Sequence, residues 1–357
     1  VKIKSALLIL LSSVAAYGQE TARPVPEIPY DSVADLLKLP PDLHLGEVAG
    51  VAVNSKKHLF VFSRGTTTGP AYGASAAQLF EFGPDGKFVR EIGKNLYAWS
   101  FAHVVRVDRA DNIWVVDKGS DMIVKFNPEG RVSMVFGRKK EASDEAAPWT
   151  RVTPPRPAVD GQFRQPTDVT WDTQGNIFIS DGYINSRIAK FDKNGDWVKQ
   201  WGDRGTKPGE FNTPHSIASD ARGNIYVADR GNRRIQVFDP EGTFLREIKI
   251  DVPIPADARP WMGNQPTPEG AAAQNGAPWA ICITPGPNQY IYSSDAFPGR
   301  IYKLTLDGKV VGMLGRSGRQ PKQFGWIHEI ACPSENEIYV AEILNWRVQK
   351  LTLHPAP

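Results

Sequence analysis

The chain has 357 residues, 41% hydrophobic and 23% charged, with 32 Gly and 29 Pro, which is enough apolar content for a large core and turn-rich in the manner of all-β folds. A formal net charge of +3, with no basic stripe along the chain, argues against nucleic acid as a partner.

At the start, Lys2 and Lys4 precede an apolar run over residues 6–16, and Ala16-Tyr-Gly18 is a small-x-small cleavage pattern. This predicts a signal peptide over 1–18, too short to span a bilayer, and hence a secreted or periplasmic protein. No Cys follows the cleavage pattern, which argues against a lipid anchor there, and no later segment reads as a membrane span. Residues 19–45 form a Pro-containing lead-in with one candidate strand over 32–39.

From residue 46 to 357 the chain repeats one unit. Its clearest copy is Asn212-Thr-Pro-His-Ser-Ile-Ala-Ser-Asp220, then Asn224-Ile-Tyr-Val-Ala-Asp229, then Arg234-Ile-Gln-Val-Phe-Asp-Pro-Glu-Gly242. Three β-patterned runs stand between tight turns, and a fourth follows at Phe244. Six copies can be laid over one another, and the sixth stops short of its fourth strand. The expectation is an all-β, six-bladed β-propeller with four-stranded antiparallel blades, a ring that leaves few sheet edges open. The N-terminal lead-in would supply the missing strand and close the ring. Two long connections, 139–162 and 251–277, are predicted to overhang one face as walls of a site.

Cys282 and Cys332 fall in the first strands of neighbouring copies, one position out of step. Strand side chains alternate, so the offset predicts free buried thiols rather than a disulfide.

One position of the repeat carries chemistry. In blade order it is held by Ala49, His103, Thr167, His215, Trp279 and His328. Histidine falls in every second blade, and alternate blades of a six-membered ring stand a third of a turn apart. First strands line the central channel, so three imidazoles could converge on its axis. His44, His58 and His354, the other three of six histidines, read as surface or tail residues. A His₃ set with an open fourth position suits catalytic zinc, and leaves iron, cobalt and manganese open.

Strand direction puts the loop after each second strand on the same face as that position. Most of these loops repeat an Asp, which reads as a turn-capping residue. Arg64, Tyr183 and Arg230 depart from the repeat. Two guanidiniums can grip a substrate carboxylate bidentately, and a Tyr among cations can serve as a base.

The run Asn224-Ile-Tyr-Val-Ala-Asp-Arg-Gly-Asn-Arg-Arg-Ile-Gln-Val-Phe238 resembles the NHL repeat. More narrowly, Phe62-Ser-Arg-Gly65, Ala102-His103, Asp181-Gly-Tyr-Ile-Asn-Ser-Arg-Ile188 and Gly209-Glu-Phe-Asn-Thr-Pro-His-Ser-Ile217 resemble peptidyl-α-hydroxyglycine α-amidating lyase, the lyase half of peptidylglycine amidating enzyme. The resemblance implies cleavage of a C-terminal peptidyl-α-hydroxyglycine to a peptide amide and glyoxylate. It implies zinc on His103, His215 and His328, and Tyr183 as base with Arg64 and Arg230 as its partners. It also implies a structural calcium on the carbonyls of Val51 and Val105 and the carboxylate of Glu329. This sequence has Glu329 where the family has Asp, Trp326 where it has an active-site Met, and Ile184 where animal members have a cysteine. Only the lyase half is matched, which leaves two expectations: a separate monooxygenase supplies the substrate, or the same site acts on a different hydroxylated amide. The competing expectations are a non-catalytic NHL propeller that binds protein, peptide or glycan, and a propeller hydrolase such as a lactonase using the same metal position.

Overall fold

The computed structural model describes residues 24–65, 77–140, 157–261 and 275–354. The expected signal peptide, most of the first long connection and about half of the second lie outside these residues. Six four-stranded antiparallel sheets succeed one another along the chain. Their innermost strands are Val48–Val53, Ala102–Val107, Asp168–Trp171, Pro214–Ser219, Ala280–Ile283 and Ile327–Ser334. The protein is a six-bladed β-propeller.

The inner strands of each blade are buried along nearly their whole length because both faces of a blade are covered by its neighbours, whereas outermost strands such as Trp197–Trp201 and Phe244–Ile248 alternate toward solvent. Blade one shows the division. Phe60 and Phe62 join a buried cluster with Trp99, Val115 and Phe126 of blade two, whereas Leu59 and Val61 join Tyr339, Ala341 and Val348 of blade six. Four further clusters fill the remaining seams. Burial of this kind contributes roughly 25 cal/mol per Å² of apolar surface, so the seams, rather than any one blade, hold the ring together.

The sixth blade is completed from the N-terminus, where Tyr30–Val33 pairs antiparallel with Arg347–Leu353, Tyr30 opposite Leu353 and Val33 opposite Lys350. The closing strand therefore lies earlier than the 32–39 expected. The apolar residues that suggested the later strand, Leu36, Leu37 and Leu39, pack against the seam between blades six and one, and Lys38 makes a single parallel bridge to Lys87. Apolar content in that stretch serves packing, not pairing.

Cys282 and Cys332 are joined by a disulfide with a Cα–Cα distance of 6.2 Å, which corrects the expectation of free thiols. Neighbouring blades meet by opposite faces, so the one-position offset turns the two side chains toward each other: Cys282 shares a face with Ala280, Cys332 shares a face with Ile330, and all four lie in the cluster between blades five and six.

Candidate metal centre and its surroundings

The innermost strands of blades two, four and six each carry a register irregularity at the repeat's special position: between Ala102 and Val104, Pro214 and Ser216, and Ile327 and Glu329. The extra residue in each case is the histidine. A bulge re-aims one side chain out of the pleat, and here it turns three imidazoles into the channel. His103, His215 and His328 are buried, with one ring nitrogen from each lying within 4.8 Å of the others.

The odd-numbered blades fix how the rings are held. His103 Nδ1 is 2.6 Å from the Thr167 carbonyl, His215 Nδ1 is 2.7 Å from that of Trp279, and His328 Nδ1 is 2.8 Å from that of Ala49. Each carbonyl belongs to the equivalent position of the next blade, and a carbonyl can only accept. Nδ1 is therefore the protonated nitrogen in all three rings, and the three Nε2 lone pairs face the axis. Burial, reinforced by the neighbouring imidazoles and by Arg64, Arg230 and Lys118, holds all three pKa values well below the ordinary histidine range. The rings stay neutral, as ligands must be. Three neutral imidazoles presenting Nε2 to one point fit a tetrahedral ion with one position left for substrate.

The loops after the second strands bring the other predicted residues to this level. Backbone bonds tie each loop to the residue two before the special position: Arg64 N–H donates to the Glu47 carbonyl, Lys118 to Phe101, Tyr183 to Gln165 and Arg230 to Thr213. Tyr183 Oη stands 3.2 Å from His215 Nε2 and 3.4 Å from His103 Nε2, and Arg64 Nη2 is 3.4 Å from His328 Nε2. Arg64 is set by Glu47 at 2.9 Å and by the Ala102 carbonyl at 2.9 Å. Arg230 lies 5.5 Å from the Tyr183 ring centroid and 4.0 Å over the Trp279 ring. Trp326, in the left-handed backbone region at φ 64°, packs edge-on against Trp279 with centroids 4.7 Å apart. Burial alone would push the Tyr183 phenol up, but Lys118, Arg230 and Arg64 outweigh it and the pKa is lowered.

Sequence reasoning missed Lys118, whose Nζ lies 4.0 Å over the Tyr183 ring. The signal was present: Lys118 follows Asp117 as Arg64 follows Ser63 and Arg230 follows Asp229, so it is the third cation in one register. The recurring acids do act as caps. Asp117 accepts the N–H groups of Ser100, Phe101 and Ser120, and Asp229 that of Asn212. From the second long connection, Trp261 Nε1 reaches Asn345 Oδ1 of blade six at 3.0 Å. His58 and His354 pair at the periphery with Glu81 and Asp31.

At the carboxylate expected to bind calcium stands a cation of the protein itself. Glu329 Oε2 accepts the N–H groups of Val51 and Val105 at 3.0 and 3.1 Å, and Oε1 lies 3.1 Å from Arg106 Nε. A guanidinium stands at the carboxylate where the ion would be, and a divalent cation beside it would be repelled.

Fold and centre together define a six-bladed propeller with a three-histidine, metal-ready site on its axis. Comparison with known proteins agrees on the fold. The family model DUF5128, described as a 6-bladed beta-propeller, matches residues 162–262. Peptidyl-alpha-hydroxyglycine alpha-amidating lyase 1 of Drosophila melanogaster is 25% identical over 276 residues, covering 74% of this chain and 46% of that protein. Peptidylglycine alpha-amidating monooxygenase of Rattus norvegicus is 31% identical over 171 residues, covering 43% of this chain and 16% of that protein. The chain thus spans less than half the length of these curated relatives. Virginiamycin B lyase from Staphylococcus aureus shares the fold, with a TM-score of 0.55 at 15% identity over 92% of this chain and all of that one. The chain is a six-bladed β-propeller similar in sequence to the peptidyl-α-hydroxyglycine α-amidating lyases.

Proposed function

We propose that this protein is an exported, zinc-dependent lyase that cleaves the C–N bond of an N-acyl- or peptidyl-α-hydroxyglycine, giving an amide and glyoxylate. The observation that carries the reading is the set of three Nε2 lone pairs converging beside a phenol of lowered pKa. His103, His215 and His328 would hold a zinc ion, which when bound would supply Lewis acidity to a substrate hydroxyl. Tyr183, as phenolate, takes the hydroxyl proton. The oxygen electrons then form the aldehyde C=O, the C–N bond breaks, and its electron pair leaves with the amide nitrogen. Tyr183 returns the proton to that nitrogen, so the products balance the substrate. Arg64 and Arg230 hold the glycine carboxylate and keep Tyr183 ionised. Trp326 and Trp279 form an apolar wall for the acyl side. A separate monooxygenase supplies the hydroxylated substrate. No helix among the described residues is long and apolar enough to cross a membrane.

Elemental analysis of the purified protein, paired with a glyoxylate assay on an N-acyl-α-hydroxyglycine, tests this reading. Expected are one zinc per chain and chelator-sensitive glyoxylate release. Zinc-free protein would overturn the metal assignment. Zinc-loaded protein that hydrolyses a lactone and releases no glyoxylate would reassign the centre to hydrolysis.

A further inference from the structure

One layer beneath the imidazoles, Arg106 enters the channel from the innermost strand of blade two. Its guanidinium meets Asp168 of blade three as a fork, Nε to Oδ1 at 2.9 Å and Nη2 to Oδ2 at 2.5 Å, while Nε also faces Glu329 of blade six at 3.1 Å. Nη2 reaches Ser216 Oγ of blade four at 3.2 Å and the Ile281 carbonyl of blade five at 3.4 Å, and Nη1 reaches the Ile330 carbonyl at 3.4 Å. The anions are capped in turn. Asp168 Oδ2 accepts Ser216 Oγ–H at 2.8 Å and Ile217 N–H at 3.0 Å, and Ser216 Oγ accepts Ile281 N–H at 3.2 Å. With Glu329 accepting from Val51 of blade one and Val105 of blade two, the belt takes in the innermost strand of every blade.

A buried carboxylate is tolerable only when paired and hydrogen-bonded. Asp168 and Glu329 are both fully buried, so this layer requires a cation, and one side chain provides it. We propose that Arg106 is the resident cation of the channel: it fastens the six innermost strands at the hub in place of a structural divalent ion. The ring then holds without calcium, and the histidine centre is the axial metal site among the described residues.

The test does not depend on the lyase reading, because it measures binding and unfolding. Zinc-loaded protein is dialysed against millimolar calcium chloride, washed and analysed, and its thermal unfolding is followed with and without calcium. Expected are no retained calcium and an unchanged Tm. Arg106→Ser leaves Asp168 and Glu329 facing each other without a cation. Its Tm should fall by on the order of 10 °C, and calcium should recover part of that loss. Arg106→Lys, which keeps the charge and loses the fork, should fall less and ignore calcium. If Arg106→Ser does not fold, the wild-type calcium content and Tm decide the matter alone. Stoichiometric calcium in the wild-type protein, a wild-type Tm that rises with calcium, or an Arg106→Ser protein of unchanged Tm would overturn the proposal.

Discussion

Two layers of the same channel treat polar groups in opposite ways. In the lower layer a guanidinium forks onto one buried carboxylate and stands 3.1 Å from a second, whose other oxygen is capped by backbone N–H groups. In the upper layer every imidazole N–H is spent on a carbonyl, so three lone pairs are left pointing at one spot. Charge that is answered within the protein makes a fastening. Acceptors left over at a point make a place for a ligand, and the two layers differ mainly in that surplus.

Breaking the upper layer should have the largest effect. His215→Ala removes one of three lone pairs, and elemental analysis should show zinc lost together with turnover, while the ring, fastened below, keeps its β-sheet circular dichroism spectrum. A variant that retains full zinc would remove His215 from the ligand set. Tyr183→Phe separates base from metal. It should keep one zinc per chain and lower kcat by about 10²–10⁴-fold. The phenolate is the active form, so the rate should climb as pH rises through the Tyr183 pKa. That value is lowered by Lys118, Arg230 and Arg64 against the push of burial, so the climb begins below the ordinary phenol range near pH ~10. The variant should lose that limb of the pH profile.

Lys118→Met sharpens the comparison by removing a cation that belongs to neither layer's skeleton. It should move the Tyr183 limb to higher pH and raise KM for the α-hydroxyglycine carboxylate roughly 10-fold, the worth of one charged contact. Unchanged KM and an unmoved limb would leave Lys118 a bystander. A further effect, on stability and not on turnover, lies outside the channel. Burial raises Asp121 to about 7 despite the nearby Lys140. Its folded pKa exceeds its unfolded one, so the folded state holds the extra proton between about pH 4 and 7. The contribution to stability is full below that window and is lost as pH rises through it, by roughly 4 kcal/mol at most. Asp121→Asn should flatten this part of the Tm–pH curve.

The repeat exposed the histidine triad because a periodic position filled by an unlike residue in every second copy stands out against its background. Arg64, Tyr183 and Arg230 stood out in the same way. Lys118 was equally visible and was passed over because Asp-Lys reads as an ordinary surface turn. Arg106 gave no signal at all. Nothing in a strand of alternating residues says that its guanidinium meets Asp168 and Glu329, which come from two other blades. The disulfide was hidden for a related reason: alternation gives each cysteine's side of its own blade, but the two sides are brought together only because neighbouring blades pack opposite faces against each other.

Strand periodicity, turn residues and the two-blade spacing of histidine were enough to set the architecture, its closure from the N-terminus and the identity of the axial side chains. These are local or periodic properties, written in residues close along the chain. The partners of Arg106, the pairing of the cysteines, the position of the closing strand and the carbonyls that fix each imidazole tautomer were decided only when distant strands met. Each depends on contacts between residues far apart in sequence, where a one-residue bulge or a turned side chain changes the partner while the pattern along the chain stays the same.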